Sequence, residues 1–265
     1  MPTTESGGGR LRYELSGNPG GTVLVLANSL GSNLHMWDKV LPALESRYRV
    51  LRFDMRGHGE SSVALEPFTI EQLGRDVLRL LDEVEADRAS VCGLSLGGLV
   101  ALWLGIYAPQ RLHRLIFANT AARIGSREMW EQRIGTVHDT GMSPLAVATI
   151  ERWFTPTYRA RHPEEMEQIR EMIAATDPRG YTACCAVLCD ADLRAQIGAI
   201  ETASLVITGT HDPATPPSDG RALHAAIRES RYLELDASHL SAWECADEFA
   251  GAVVQHLAEG EEIDG

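Results

Sequence analysis

Residues 89–108 read ASVCGLSLGGLVALWLGIYA and join a short apolar run to a longer one through a serine between glycines. The run Ala89–Cys92 predicts a buried strand, and Leu96–Ala108 predicts a helix that stops before Pro109. Residues 93–97 between them follow the pattern G-x-S-x-G, in which a strained strand-to-helix turn exposes the serine hydroxyl. The flanking glycines are needed because a Cβ there would collide with neighbouring backbone. The pattern arises by chance about 0.15 times in a chain of this length, so its place between a strand and a helix singles out Ser95.

On both sides of this stretch, short apolar runs alternate with longer segments of helical periodicity. The predicted strands are residues 22–27, 48–53, 112–118, 204–208 and 232–235, and the predicted helices are 34–44, 69–84, 218–227 and 246–257. Such alternation predicts an α/β fold with a mostly parallel, doubly wound sheet. The alternation stops between about Gly125 and Ile200, where apolar residues recur at helical spacing. We therefore expect a core domain of residues 1–124 and 201–265, with residues 125–200 inserted as a helical cap.

The composition of the 265 residues excludes several classes of protein. A hydrophobic fraction of 44% and a charged fraction of 23% are typical of a globular enzyme. The net charge, 24 − 37 = −13, argues against nucleic acid or an anionic membrane as a partner. The five cysteines form no CxxC pair, so neither a disulfide framework nor a metal site is expected. With no secretory signal and no apolar run of about 18 residues, we expect a cytoplasmic protein. The oligomeric state stays open.

A serine hydroxyl needs a base to become a nucleophile. His239 follows the predicted strand 232–235, and Asp212 follows the strand before it, where it can orient the histidine. The chain order Ser95, Asp212, His239 is the order expected for a catalytic triad on this architecture. His58 is the alternative base, since it lies in a loop after a strand, and Asp236 is the alternative acid.

A tetrahedral intermediate on Ser95 would carry a negative oxygen that two backbone N–H groups can stabilise. The first predicted donor is the N–H of Leu96, which follows the nucleophile. The second should come from the loop after the strand 22–27, Asn28-Ser29-Leu30-Gly31, and we assign it to the N–H of Leu30.

With these residues in place, the chain resembles an α/β-hydrolase and, more narrowly, the 3-oxoadipate enol-lactonases of aromatic catabolism. The segments that carry the resemblance are 28–31, 36–38, 54–59, 92–99, 119–125, 191–194 and 237–241. The loops 93–97 and 54–59 are common to the superfamily, whereas 28–31 and 119–125 are closer to the lactonases. The resemblance implies that 3-oxoadipate enol-lactone (4,5-dihydro-5-oxofuran-2-acetate) is hydrolysed to 3-oxoadipate in the beta-ketoadipate pathway. The reaction would run through a Ser-His-Asp triad and an acyl-enzyme, and it would need no cofactor.

The implied substrate, a small carboxylated lactone, needs a positive partner in an otherwise acidic protein. Arginine suits a carboxylate because its guanidinium fork matches the two oxygens. Arg133, one turn after Trp130, is the first candidate, with Arg152 and Arg123 behind it; a solvated helix face is the alternative for each. We expect Trp130 and Trp153 to wall the pocket, with packing inside the insertion as the other interpretation.

Two other functions fit the same sequence. One is a carboxylesterase or a lactonase that acts on another small ester. The other is a small-molecule receptor on the same fold, in which the triad is vestigial. Carbon–carbon bond hydrolases also use a serine at this position, and substrate tests separate all of these hypotheses.

Overall fold

The computed structural model describes residues 2–6, 9–64 and 66–261. Its centre is an eight-stranded sheet in the order β1-β2-β4-β3-β5-β6-β7-β8. The strands are β1 (Thr3–Ser6), β2 (Gly9–Gly17), β3 (Val23–Ala27), β4 (Arg49–Phe53), β5 (Ala89–Leu94), β6 (Leu112–Ala118), β7 (Ser204–Gly209) and β8 (Ser230–Leu235). The six strands from β4 to β8 in this order are parallel, while β1 and β2 are antiparallel at one edge. The predicted α/β class and the mostly parallel sheet are confirmed.

Helices connect the parallel strands. They are α1 (Leu41–Glu45), α2 (Ile70–Glu83), α3 (Leu96–Tyr107), α4 (Arg127–Thr140), α5 (Met142–Trp153), α6 (Pro156–Arg161), α7 (Pro163–Ala174), α8 (Pro178–Asp190), α9 (Pro217–Ala226), α10 (Ser241–Glu244) and α11 (Ala246–Glu261). Helix α3 packs on β3, β5 and β6, and α2 packs against α3. Helix α11 packs on β6 and β7. The strands β3 and β5 are buried along their whole length, which explains their continuous apolar sequences.

The N-terminal strands β1 and β2 were absent from the sequence prediction. Their antiparallel pairing continues the sheet beyond β4. The alternation of Leu11, Tyr13 and Leu15 along β2 is the period-2 signal of a strand, and it could have been recognised.

The helix predicted over Leu34–Leu44 is divided. Residues Leu34–Trp37 form one turn of 3-10 helix, and α1 begins only at Leu41. Pro42 lies in the first turn of α1, where its missing N–H costs nothing, so this proline starts a helix instead of continuing one.

Five consecutive helices, α4 to α8, separate β6 from β7 within residues 125–200. Helix α4 packs on α8, and α5 packs on α7. The acidic sequence of residues 258–265, AEGEEIDG, predicts a frayed tail, but α11 continues to Glu261; residues 262–265 lie outside the described residues. Within residues 2–6, 9–64 and 66–261, no helix is both long enough and apolar enough to cross a membrane.

Candidate active site

Ser95 occupies a strained turn between β5 and α3. Its backbone has φ +59° and ψ −115°, a conformation that side chains rarely adopt. The turn can close this tightly because Gly97 has no side chain. A Cβ at this position would lie 2.1 Å from the carbonyl oxygen of Ala27. The N–H of Ser95 donates to the carbonyl of Ala118 at 3.0 Å, so both neighbouring strands hold the turn. This is the geometry that the G-x-S-x-G pattern predicts.

Asp212 and His239 form a buried pair at the ends of β7 and β8. The Nδ1–H of His239 donates to Oδ2 of Asp212 at 2.8 Å, and both residues are 3% exposed. This bond places the ring proton on Nδ1, and it leaves Nε2 as the nitrogen that can accept a proton. The pair therefore has the arrangement of an oriented general base.

Four further donors hold the carboxylate of Asp212. The N–H groups of Ala214 and Thr215 donate to Oδ1 at 2.8 and 3.1 Å. The Thr215 hydroxyl and the Asn119 amide donate to Oδ2 at 2.7 and 3.0 Å. Burial raises the pKa of Asp212, but the charge and hydrogen bond of His239 and these donors outweigh it, and the net result is a lowered pKa. Asp212 thus stays ionised opposite the imidazole.

Ser95 and His239 line one cavity of about 160 Å³. A concave cavity of this kind suits a small molecule. Leu30 from the loop after β3, and Pro213 and Ala214 from the loop after β7, lie on the same wall. The cavity is therefore built at the carboxyl ends of the parallel strands, where open α/β sheets bind their ligands.

Of the two predicted oxyanion donors, Leu30 lines this cavity, and Leu96 directly follows Ser95, which lines it. Leu96 opens α3 directly after Ser95, and Leu30 lies in the loop after β3, which is tied to α3 by the bond from the Gly97 N–H to the Asn28 carbonyl at 2.9 Å. Neither the Leu30 nor the Leu96 N–H has an acceptor among the residues that the structure describes. Both donors are thus available to a ligand, as a tetrahedral oxygen requires.

Two arginines, Arg133 of α4 and Arg152 of α5, line the cavity together. In the described part of the chain, no carboxylate lies within 4.0 Å of either guanidinium. Burial and then repulsion from Arg133 lower the pKa of Arg152. Two like charges face the same space in a protein of net charge −13, and an anion bound there would relieve their repulsion.

Aromatic side chains complete the wall. Trp130 and Trp153 both line the cavity, and the centroid of the Trp153 ring lies 6.4 Å from that of the His239 ring. Tyr181 lines it too, although the sequence analysis did not single it out. Burial raises the pKa of Tyr181 to about 12, so its hydroxyl keeps its proton. Because Nη1 of Arg133 donates to the phenol oxygen at 3.3 Å, the Tyr181 O–H can still donate to a ligand.

Three residues that the sequence offered as alternatives for the acid, the base and the carboxylate partner have other contacts in the structure. Asp236 is exposed and pairs with His211 at 2.8 Å, so it does not orient His239. His58 is buried outside the cavity and bonds to backbone atoms, which is inconsistent with a role as the base. Arg123, a weaker candidate for the carboxylate, lies 3.6 Å from Asp192 and does not line the cavity.

The roles of Asn119 and Thr215 were also missed. Asn119 follows β6, the strand next to β7, and the side chains at the ends of neighbouring parallel strands meet. Its position alone could have placed it beside Asp212. Thr215 follows Asp212 by three residues, the spacing at which a carboxylate caps its own loop.

The chain is similar to known proteins along most of its length. Residues 22–246 match the family model of the alpha/beta hydrolase fold. Two curated relatives from Acinetobacter baylyi, 3-oxoadipate enol-lactonase 2 and 3-oxoadipate enol-lactonase 1, are 40% and 36% identical. The first alignment covers 92% of this chain and 91% of the relative, and the second covers 93% and 92%. The crystal structure of the enol-lactonase from Burkholderia xenovorans superimposes with a TM-score of 0.95 at 44% identity, over 97% of this chain and 100% of that one.

Proposed function

Because the chain belongs to the α/β-hydrolase superfamily and, within it, to the 3-oxoadipate enol-lactonase family, we propose that Ser95, His239 and Asp212 are the triad with which it hydrolyses 3-oxoadipate enol-lactone. The protein is an enzyme that hydrolyses esters. One observation supports the choice of substrate: the nucleophile, its base and two arginines line a single cavity, and neither arginine has an acidic partner among the described residues. A pair of positive charges in the cavity favours a substrate that carries a carboxylate.

The first half of the reaction forms an acyl-enzyme. Oγ of Ser95 attacks the lactone carbonyl while Nε2 of His239 takes the hydroxyl proton, and Asp212 stabilises the resulting imidazolium. The N–H groups of Leu30 and Leu96 stabilise the tetrahedral oxyanion. The ring C–O bond then breaks, and the enolate leaves more easily than an alkoxide because its charge is delocalised. His239 returns its proton to the enolate oxygen, and the enol that forms tautomerises to a ketone, which draws the reaction forward.

Water completes the reaction. His239 removes a proton from a water molecule that attacks the acyl carbon, and the same two N–H groups stabilise the second tetrahedral intermediate. The bond to Ser95 breaks, Oγ recovers its proton from His239, and 3-oxoadipate leaves with one new carboxylate. The balance requires only lactone and water.

Arg133 and Arg152 bind the carboxylate that the lactone already carries, with the Tyr181 hydroxyl as a third donor. A charge-assisted bidentate pair fixes both the position and the direction of a carboxylate. Trp130 and Trp153 exclude water from the ring, which strengthens each of these contacts.

Residues 125–200 act as a cap on the core formed by residues 1–124 and 201–265. The segment 152–155 attaches this cap to the loop that carries His239. The Ser238 hydroxyl donates to the Arg152 carbonyl at 2.7 Å, and the Leu240 N–H donates to the Trp153 carbonyl at 3.0 Å. The Glu244 carboxylate accepts from the N–H groups of Ser238 and Thr155 at 2.9 and 3.2 Å. The cap residues that bind the substrate are thus held in register with the base.

The test is the loss of ultraviolet absorbance when enzyme is added to the enol-lactone, compared with its methyl ester and with p-nitrophenyl esters. We expect the carboxylated lactone to be preferred and Ser95→Ala to be inactive. Arg133→Ala should raise KM about tenfold or more for the carboxylated lactone, and less for its methyl ester, because only the former loses an ion pair. Arg123→Ala, an arginine away from the cavity, is the control and should leave both constants unchanged.

Equal KM effects on the lactone and its methyl ester would remove Arg133 from this role. Faster turnover of simple p-nitrophenyl esters would favour a general carboxylesterase. Ligand-dependent stabilisation of the fold without turnover of any ester would favour a receptor.

A further inference from the structure

In the oxyanion loop, residues 28–32, three N–H groups donate to acceptors within the protein. The N–H of Ser29 donates to Sδ of Met36 at 3.2 Å, and the N–H of Ser32 donates to the Ser29 carbonyl at 3.3 Å. The N–H of Gly31 donates to Nε2 of His58 at 2.9 Å. Within residues 29–32, the Leu30 N–H is therefore the one that has no acceptor among the described residues.

His58 supplies a side-chain acceptor to this loop from a distant part of the chain, while the Thr176 hydroxyl donates to the Gly31 carbonyl at 3.3 Å. His58 is 1% exposed, and its Nδ1–H donates to the Arg56 carbonyl at 3.0 Å. A ring that donates from Nδ1 and accepts at Nε2 is neutral and has one defined tautomer. Burial lowers the pKa of His58, although its bond to Arg56 and the charge of Asp54 oppose that shift. The ring thus offers a fixed acceptor to the Gly31 N–H.

The segment that carries His58 is itself held rigidly. A Cβ on Gly57 would lie 2.3 Å from Cα of Gly180, so the backbones of this loop and of α8 touch. The Arg56 guanidinium is engaged by the buried Asp76 carboxylate at 2.5 Å. The Asp54 carboxylate accepts from the Leu34 N–H at 2.9 Å and so ties the loop to the 3-10 turn after the oxyanion loop. The imidazole therefore has no freedom to follow a shift of Gly31.

We propose that His58 is a positioning residue that fixes the Leu30–Gly31 peptide of the oxyanion loop and leaves the Leu30 N–H to the transition state. This inference rests on the proposed function, since it needs a tetrahedral oxygen for Leu30 to bind. Without the acceptor, the buried Gly31 N–H loses its partner, and the peptide turns to recover one. The loss falls on the tetrahedral state and spares the ground state, because the substrate carboxylate is bound elsewhere by Arg133 and Arg152.

Two polar variants separate this role from a structural one. In His58→Gln the amide oxygen reaches the position of Nε2 and can accept from Gly31. In His58→Asn the shorter side chain can still donate to the Arg56 carbonyl, but it cannot reach Gly31. His256→Gln is the control, because His256 is another buried histidine whose pKa burial lowers, and it lies on α11 outside the cavity.

The readouts are kcat and KM for the enol-lactone, and the Kd values of a phenylboronic acid and of adipate. A boronate forms a tetrahedral adduct with the serine, whereas adipate tests carboxylate binding alone. We expect His58→Asn to lower kcat and boronate affinity by the same factor, about tenfold or more. For comparison, complete loss of an oxyanion donor lowers kcat by a factor on the order of 10²–10³. KM and the adipate Kd should stay within about twofold. His58→Gln should recover most of both losses, and His256→Gln should show neither.

The proposal is overturned if His58→Asn keeps the kcat and boronate affinity of the wild type, or if boronate and adipate affinity fall together. It is also overturned if His58→Gln is as impaired as His58→Asn while its melting temperature matches the wild type. A wild-type protein that neither binds the boronate nor turns over the lactone would overturn the proposed function, and this inference with it.

Discussion

At the scale of single residues, Asp212 shows how a buried charge can be kept. It is surrounded by four hydrogen-bonding residues, and each oxygen of its carboxylate accepts at least two bonds. A buried carboxylate with fewer partners would take up a proton. Here the donors favour the ionised form, so the same contacts that orient His239 also stabilise the fold.

We predict a pH-dependent cost for Asp212→Asn. Because the folded-state pKa of Asp212 is lowered, its stabilisation is complete above the ordinary carboxyl pKa of about 3.9 and is lost as the pH falls through the lowered folded value. At pH 7 the variant should lose about 1–3 kcal/mol of unfolding free energy. The reason is that the amide nitrogen of asparagine cannot accept the hydrogen bonds that a carboxylate oxygen of Asp212 accepts from the surrounding donors. Urea unfolding from pH 7 to pH 3 should show the difference from wild type shrinking with acid.

The exposed Asp236→Asn serves as the control for that titration, since its carboxylate is 91% exposed. Its unfolding free energy should match the wild type within about 0.5 kcal/mol at every pH. A cost for Asp212→Asn that stays constant or grows toward pH 3 would contradict a lowered pKa in the folded state.

At the scale of elements, the turn between β5 and α3 depends on glycines that touch other backbone. A Cβ on Gly97 would lie 2.1 Å from the carbonyl oxygen and 2.4 Å from the carbonyl carbon of Ala27 in β3. These atoms belong to a central strand that is paired on both sides and cannot retreat. The glycine therefore sets how closely α3 can approach the sheet, and with it the position of Ser95.

Gly97→Ala is predicted to destabilise the fold by about 3 kcal/mol and to lower kcat, because the clash must displace α3 or β3. The matched control is Gly135→Ala in α4, where an added Cβ has nothing within 4 Å among the described atoms. That change should stabilise the protein by about 0.5–1 kcal/mol, since alanine favours a helix more than glycine does. Thermal unfolding of both variants checks the pair, and equal effects of the two substitutions would refute the close-contact argument.

The sequence predicted the elements near the proposed triad well because Ser95, Asp212 and His239 each follow a strand with a strong apolar signal. Ser95, Asp212 and His239 all lie where parallel strands end, so strand order alone brings them to one edge. The partner of the substrate carboxylate was harder to choose among Arg133, Arg152 and Arg123. That choice depends on how α4, α5 and α8 pack on one another, and helix periodicity does not encode it.

His58 illustrates a second limit of sequence analysis. From the sequence, the loop 54–59 is a segment common to the superfamily, and the position of His58 after a strand indicates only a possible base. Its partner, the Gly31 N–H, lies 27 residues away on a different loop. A backbone donor has no sequence signature, so only the structure could reveal this bond.

At the scale of the whole molecule, the charged side chains of the cavity are opposite in sign to the net charge of the chain. The chain carries a net charge of −13, yet the cavity contains two guanidinium groups without carboxylate partners among the described residues. A long-range negative field does not attract an anion, so selection for a carboxylated substrate has to occur at contact distance. The acidic surface and the basic cavity are thus consistent with a small anionic substrate and with weak attraction to polyanions.

The whole account depends on one serine being activated by a histidine from the other end of the chain. The most direct measurement is the rate and the site of labelling by a fluorophosphonate, followed by peptide mass spectrometry. We predict a single adduct on the peptide that contains Ser95, protection by the enol-lactone product, and labelling at least about 100-fold slower in His239→Ala. Labelling of a different residue, or an unchanged labelling rate in His239→Ala, would contradict the account.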